Sequence, residues 1–507
     1  MENNFAIRNA VLFDGLGNPS YPADLVVNDG IIESIAVAGS SVKQNIPSID
    51  ANGLALAPGF IDAHSHSDNT VVNNPTADAK ISQGVTTEIV GNCGSSSTIE
   101  KCNNWSCLSE YAQYLNSRKP AVNIAALAGH NSIRTMVMGY ENRFATREEI
   151  KKMKDILVQA LEQGAAGFAS GLWYLPGKYS DMDEVVEIAT ALKGTGKPYV
   201  THMRSEGDGI LDALDEAFTI AAAGDNRLQV SHIKASPRRD WHKIDDVIRM
   251  IENAQERGMS VYADRYPYIY SCTTLRMILP APWDPIADVQ KFLAEGDNMT
   301  IVAETLDKFN DVENDWKKVV ITNSIEAHKQ FCGLTLYEIA QKLNMTPGQA
   351  TVKLLSEASP SAAYGKMSED NMRRFLATPW VVAGSDASCV AFDYSAGRAH
   401  PRAFGTFPRF FQIARQFAPD EEVIRRMTSL TAEIFNIKKR GALIPGNFAD
   451  MVLFEPDAYT CDFDFANPHS RAKGVKYVFV NGKLAFDNDD PTRRIQAGTF
   501  LPIPNKN

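Results

Sequence analysis

The chain's 507 residues exceed a single typical domain, and its 44% hydrophobic and 22% charged side chains are ordinary for a globular protein. A net charge of −10, with no lysine- or arginine-rich stripe to offset it, argues against nucleic acid as a partner. No apolar run of about eighteen residues occurs, so no membrane span is expected.

Seven cysteines, odd in number and without framework spacing, fit a reducing cytoplasm better than a disulfide scaffold. Met1-Glu2-Asn3-Asn4-Phe5 lacks the basic segment and apolar core of a secretory signal. The expected location is therefore the cytoplasm.

In chain order, residues 23–32 read as strand, Asn28-Asp29-Gly30 turn and strand. From residue 60 onward, β-runs alternate with helical stretches. The runs are 60–66, 85–90, 122–127, 165–170, 198–202, 228–232, 260–264 and 380–386, and amphipathic helices such as 147–163, 182–193 and 244–257 lie between several of them. This α/β alternation is the pattern of parallel strands joined by crossover helices, and eight such units make a (β/α)8 barrel. The interval before the eighth run is too long for one helix and loop. Residues about 280–375, carrying Pro280, Pro282, Pro347 and Pro360, are expected to form an insertion on the catalytic face. Near the carboxyl end, residues 449–454 and 475–484 bring back short β-runs with an Asn481-Gly482 turn. Hairpins at both ends predict a small β-sandwich domain assembled from the two termini, which often lie close together. The expected division is 1–57 and 441–507 for the β-sandwich domain, and 58–440 for the barrel.

Five of the eight runs end in, or just before, a metal-capable or ionisable residue. His64-Ser65-His66 closes the first. Two imidazoles separated by one residue at a strand end point to the same side and can grip one ion, while the loop beyond leaves positions free for water and substrate. That suggests a catalytic metal, because a structural zinc is normally closed by protein ligands. Cys93 follows the second run, in Gly91-Asn92-Cys93-Gly94. His202 ends the fifth, His232 the sixth and Asp386 the eighth. Catalytic groups of a barrel collect at the carboxyl ends of its strands, so these residues should converge. Zinc takes imidazole nitrogen and thiolate sulfur, which makes Cys93, His202 and His232 a candidate tight site. His64 and His66 would supply a second, weaker position with Asp386 beside it. Asp386 has two readings: metal ligand, or general base that takes a proton from metal-activated water and returns it to a leaving amine. Arg402, in His400-Pro401-Arg402, offers a bidentate fork to a carboxylate, or a surface salt bridge. His130 reads as a substrate contact or a satisfied loop residue, and His242, His328 and His469 as surface residues. The other six cysteines read as small buried hydrophobes.

Together these residues resemble the amidohydrolase superfamily and, more narrowly, its N-acyl-D-amino-acid deacylase (D-aminoacylase) branch. The matching segments include Pro58-Gly59-Phe60-Ile61-Asp62-Ala63-His64-Ser65-His66, Gly91-Asn92-Cys93-Gly94, Gly171-Leu172-Trp173-Tyr174 and Thr201-His202-Met203-Arg204. They continue through Ser231-His232-Ile233-Lys234, Asp264-Arg265-Tyr266-Pro267-Tyr268, Gly384-Ser385-Asp386 and His400-Pro401-Arg402, in order over nearly the whole chain. The resemblance implies one tightly held Zn2+ on Cys93, His202 and His232, with room for a second, weaker ion at His64 and His66. It implies Asp386 as the catalytic acid/base and Tyr174, Lys234, Tyr266 and Arg402 as substrate-facing residues, with Arg402 the candidate for the α-carboxylate. Many superfamily members bridge two metals with a carboxylated lysine on the fourth strand. Here 165–170 carries no lysine, and Cys93 is positioned to replace it. Two departures, Ala387 where glycine is expected and Arg265 before Tyr266, bear on the substrate pocket more than on the reaction.

The implied activity is hydrolysis of N-acyl-D-amino acids, small-molecule substrates, to a D-amino acid and a carboxylate. Two other readings stand beside it: a cyclic-amide or dipeptide hydrolase on the same barrel, and a catalytically silent scaffold, which should have lost ligands. The sequence leaves the preferred side chain and the oligomeric state open.

Overall fold

Eight short strands carry the central architecture: β1 (Phe60–Asp62), β2 (Val85–Val90), β3 (Asn123–Ala126, continued by Ala128–Gly129), β4 (Phe168–Gly171), β5 (Tyr199–His202), β6 (Arg227–Val230), β7 (Ser260–Arg265) and β8 (Val381–Ala383). They belong to a computed structural model that describes residues 4–39, 46–308, 315–394, 398–462, 465, 467–490 and 495–506; Met1-Glu2-Asn3 of the amino-terminal reading lie outside these. Each strand pairs in parallel with the next, β1 with β2 through β7 with β8. The ring closes where the Ala63 N–H donates to Ala383 O at 3.1 Å and the Asp386 N–H donates to His64 O at 2.8 Å. The fold is a (β/α)8 barrel, as expected.

The barrel is filled by small and branched side chains: Ile61, Ala63, Ile89, Ala125, Leu127, Ala169, Val200 and Val382, all buried. Outside it, amphipathic helices pack their apolar faces on the strands. In helix Arg147–Glu162, Met153, Leu157, Ala160 and Leu161 face inward, and Thr146 starts the helix through a reciprocal capping box with Glu149. The strands stop two to three residues short of the expected ends at His232 and Asp386. Both residues take positive φ, 36° and 50°, which breaks extended pairing.

The two chain ends form one hydrogen-bonded set of strands. Its order is Lys483–Asp487, Val475–Val480, Met451–Phe454, Ala55–Pro58, Phe5–Leu12, Tyr21–Asn28 and Ile31–Val37, with Ser48–Asp50 alongside Phe5–Leu12. Both expected hairpin turns have positive φ at their central residues, Asp29 and Gly30 in one, Asn481 and Gly482 in the other, as tight right-twisted hairpins require. The turns abut: a Cβ on Gly482 would lie 2.4 Å from the Gly30 Cα. Phe5 stacks on Phe479 with ring centroids 5.0 Å apart, so strands from the two ends of the chain share a core.

Between β7 and β8 the chain leaves the barrel and builds a three-stranded antiparallel sheet from Ser271–Thr274, Val319–Asn323 and Ser361–Tyr364. Helices including Asn298–Lys308 and Pro347–Glu357 pack on it around Leu306, Trp316, Ile321 and Leu355. This excursion starts ahead of residue 280. The polar Ser271–Thr274 has no apolar alternation of its own and is a strand only because Ser361–Tyr364 pairs with it. It also ends before residue 375, since helix Glu369–Ala377 buries Met372, Phe375 and Leu376 in the barrel's outer core. Among the described residues no helix is long and apolar enough to cross a membrane.

A buried polar network joins the terminal strands to the barrel. Arg440 pairs with Asp450, each about 4% exposed at the side chain. Asp450 Oδ1 accepts from the Asn481 N–H at 2.7 Å, and Asn481 Nδ2 donates to Asn123 Oδ1 in β3 at 2.9 Å. Removing one partner of such a pair strands the other charge in a dry interior. Arg440→Met is therefore expected to lower unfolding stability by about 3–5 kcal/mol, measured by chemical denaturation.

Candidate metal centre

Cys93, just beyond β2, sits at the middle of the site. Its Sγ lies 3.4 Å from His64 Nε2, 3.7 Å from His202 Nδ1 and 3.4 Å from His232 Nε2. His202 Nδ1 and His232 Nε2 are 2.8 Å apart. On the other side, Asp386 Oδ1 is 3.0 Å from His66 Nε2 and 3.5 Å from His64 Nε2. The donors form two overlapping groups, Cys93–His202–His232 and His64–His66–Cys93–Asp386. The sequence divides the same residues but assigns Cys93 to one group only; here the thiol belongs to both.

The first group fits zinc. Bonds of ~2.3 Å to sulfur and ~2.0–2.1 Å to nitrogen at tetrahedral angles set donors about 3.3–3.6 Å apart; the sulfur–nitrogen separations are close to this, while the His202–His232 nitrogens, at 2.8 Å, would part by about half an ångström to admit the ion. Three protein donors leave a fourth position for water or substrate, the arrangement of catalytic rather than structural zinc.

The backbone at this site is held away from its easy conformations. Cys93 has φ 54°, as well as His232 and Asp386 at the values above. Each such residue costs of order 1–3 kcal/mol and persists only where its surroundings fix it. Gly171 at the end of β4 shows how closely they do so: a Cβ there would meet the Cys93 carbonyl oxygen at 2.0 Å.

Carboxylates stand behind the imidazoles. His64 Nδ1 is 3.1 Å from Asp264, whose Oδ1 also accepts from the His232 N–H at 2.8 Å. His232 Nδ1 is 3.0 Å from Glu206, which Lys234 holds at 2.5 Å. His232 Nε2 is turned to Cys93, and its Nδ1 also has the Lys234 ammonium at 2.8 Å, so Glu206 and Lys234 together brace the ring behind the thiol. Sequence reasoning gave Glu206 and Asp264 no role. Their signals were present: Glu206 stands four residues past His202, and Asp264 lies at the carboxyl end of β7.

This packing decides the charge states. Burial pushes the Cys93 thiol up, but His64 and His232, with hydrogen bonds from His202 and His232, bring it well below the usual thiol range. Burial likewise raises Asp386, and the Arg402 guanidinium, with His232, His66 and His64, takes it well below the usual carboxylate range. Burial lowers His66, yet its hydrogen bonds to Asp386 and Cys93 raise it to about 9.

The site opens into a cavity of about 400 Å³. Tyr174, His202, His232, Lys234, Tyr266 and Asp386 line it from the barrel, and Met277, Leu279, Pro280 and Tyr364 from the chain between β7 and β8. The Tyr174 ring is 4.7 Å from that of His202. Tyr266 lies between Arg265 and Arg402, 4.5 and 4.6 Å from its ring, and its buried hydroxyl has no hydrogen-bond partner among the described residues. Arg402 stands one layer back, with Nη1 2.8 Å from Asp386 Oδ2 and Nη2 donating to Cys272 O at 3.3 Å.

Of the other histidines, His130 is buried against Glu184 at 2.9 Å, away from the cavity. His328, expected at the surface, is buried and pairs with Glu357 at 2.7 Å, because the β7–β8 excursion folds over it. Among the cysteines expected as buried hydrophobes only Cys389 is buried, while Cys102 is exposed and Cys272 lines the cavity.

The fold and the site define a metal-dependent barrel hydrolase in form. A family model described as "Amidohydrolase family" matches residues 48–306. The chain is 31% identical to a D-aminoacylase of Alcaligenes xylosoxydans xylosoxydans, over 94% of this chain and 93% of that one. It is 30% identical to an N-acyl-D-aspartate deacylase of the same organism, over 96% and 92%. The crystal structure of N-acyl-D-glutamate deacylase from Bordetella bronchiseptica, complexed with zinc and a phosphonate mimic of the tetrahedral intermediate, superposes with a TM-score of 0.83. It is 30% identical and covers 98% of this chain and 99% of its own. The chain belongs to the amidohydrolase family, in the branch of the D-aminoacylases.

If Glu206 orients His232, Glu206→Gln should weaken zinc binding by about 10–100-fold, read by competition with a chromophoric chelator. Unchanged affinity in the folded variant would remove Glu206 from that task.

Proposed function

We propose that this chain is a zinc-dependent hydrolase that cleaves N-acyl-D-amino acids to a D-amino acid and a carboxylate. The observation that carries this reading is the convergence of His202, His232 and Asp386 on Cys93, with those three side chains lining one cavity. Zinc bound there polarises an amide carbonyl and lowers the pKa of water toward ~7.

The chain's own residues supply the rest. Asp386, anionic and braced by Arg402 at Oδ2 and His66 at Oδ1, accepts a proton from the attacking water and later gives it to the departing amide nitrogen. Tyr266 and Lys234 line the cavity and are the proposed contacts of a substrate carboxylate, and Tyr174 closes the side next to His202. Arg402 contributes positive charge one layer behind. Fixing the α-carboxylate and the amide at separate points presents one hand of substrate to the metal group.

A second, weaker ion would use His64, His66 and Asp386. The relatives named above differ in the substrate side chain at nearly equal identity, so similarity supports the N-acyl-D-amino acid class without choosing among its members. The division into a barrel (58–440) and a β domain drawn from both ends (1–57 and 441–507), and a cytoplasmic location, complete the proposal.

Two experiments test it. Asp386→Ala should abolish turnover of N-acetyl-D-amino acids while one zinc stays bound; retained turnover would take Asp386 out of the mechanism. Burial raises the Asp386 carboxyl and Arg402 opposes it, so Arg402→Met should move the acid limb of the kcat/KM–pH profile to higher pH. A limb that stays in place would separate Arg402 from the state of Asp386.

A further inference from the structure

Behind the wall of the metal centre lies a second polar cluster, and it is completely buried. Lys80, in the short helix Asp78–Ile81, has no exposed surface, and neither do Asp62, Ser65, Glu88 and Ser385 around it. Its ammonium donates to Asp62 Oδ2 at 2.7 Å, Ser385 Oγ at 2.7 Å and Ala387 O at 2.9 Å, with Ser65 Oγ at 3.4 Å and Glu88 Oε2 at 3.2 Å. Ser65 separates His64 from His66, while Ser385 and Ala387 flank Asp386. The site residues turn toward Cys93, and their chain neighbours turn toward Lys80. Asp62 completes the clamp by accepting from the His64 N–H at 3.2 Å and the Ser385 N–H at 2.8 Å.

We propose that Lys80 is a positioning residue that sets the separation of His66 from Asp386 by binding the backs of both loops at once. The assignment rests on the proposed mechanism only for its kinetic consequence. The ammonium takes oxygens from the end of β1 and from the end of β8, the two strands at which the barrel closes. Its partners all lie on those loops and on β2, away from His202 and His232, so its influence is confined to the His64–His66–Asp386 side.

Lys80→Met alone would leave two carboxylates buried without a cation. The double variant Lys80→Met/Glu88→Gln keeps the single net negative charge of the cluster and is the variant of choice. In its crystal structure His66 Nε2 and Asp386 Oδ1, 3.0 Å apart in the wild-type chain, should stand beyond hydrogen-bonding distance, with the Cys93–His202–His232 group unchanged. With N-acetyl-D-amino acids, kcat should fall at least tenfold, KM should stay within about twofold, and one tightly bound zinc should remain. A folded variant that keeps either the His66–Asp386 hydrogen bond or the wild-type kcat overturns the proposal, as does release of the tightly bound zinc in step with activity. If the double variant does not fold, Ser385→Ala removes the hydroxyl shared by Lys80 and Asp62 and is held to the same readouts, with a smaller fall in kcat expected. Were the wild-type chain inactive on N-acyl-D-amino acids, the functional proposal would fail while the structural readout still decided the role of Lys80.

Discussion

Closure of the barrel between β8 and β1 is the constraint on which the site depends. The hydrogen bond from the Asp386 N–H to His64 O at 2.8 Å joins positions more than three hundred residues apart. It places a carboxylate beside the two imidazoles of the His64-Ser65-His66 segment. The remaining donors arrive in turn around the ring, Cys93 after β2, His202 at the end of β5 and His232 after β6. Parallel strands of a closed barrel all end on one face, so a donor at each end needs only a short loop to reach the axis.

The second requirement is charge balance in a dry place. A thiolate and several imidazoles packed within hydrogen-bond distance would be costly alone. The structure offsets them with carboxylates behind the rings: Asp264 behind His64, Glu206 behind His232, and Asp386 against His66. Two of these carboxylates are themselves tied, Glu206 to Lys234 and Asp386 to Arg402. The outer layer therefore fixes ring orientation as well as charge, so that the donors point inward before any ion arrives. The positive φ values at Cys93, His232 and Asp386 are a cost that this rigid surrounding sustains.

The outer parts of the fold were legible because local rules govern them. The Asn28-Asp29-Gly30 and Asn481-Gly482 turns announced hairpins, and both are present; that the turns pack against each other was visible in neither. The helix from Arg147 was readable from its apolar period. The start of the β7–β8 excursion at Ser271–Thr274 was not, since that segment becomes a strand only through a partner about ninety residues away. Burial of His328 escaped notice for the same reason.

For the site, the sequence by itself determined the donor types and their order. Strand ends are local features, and thiolate, imidazole and carboxylate chemistry does not depend on the fold. Tertiary structure alone decided which donors meet. It made Cys93 common to both groups, drew Arg402 back against Asp386, and set Glu206, Asp264 and Lys80 behind the ligands. Those are relations between strands distant in the chain, and only closure of the barrel brings their ends to the same few ångströms.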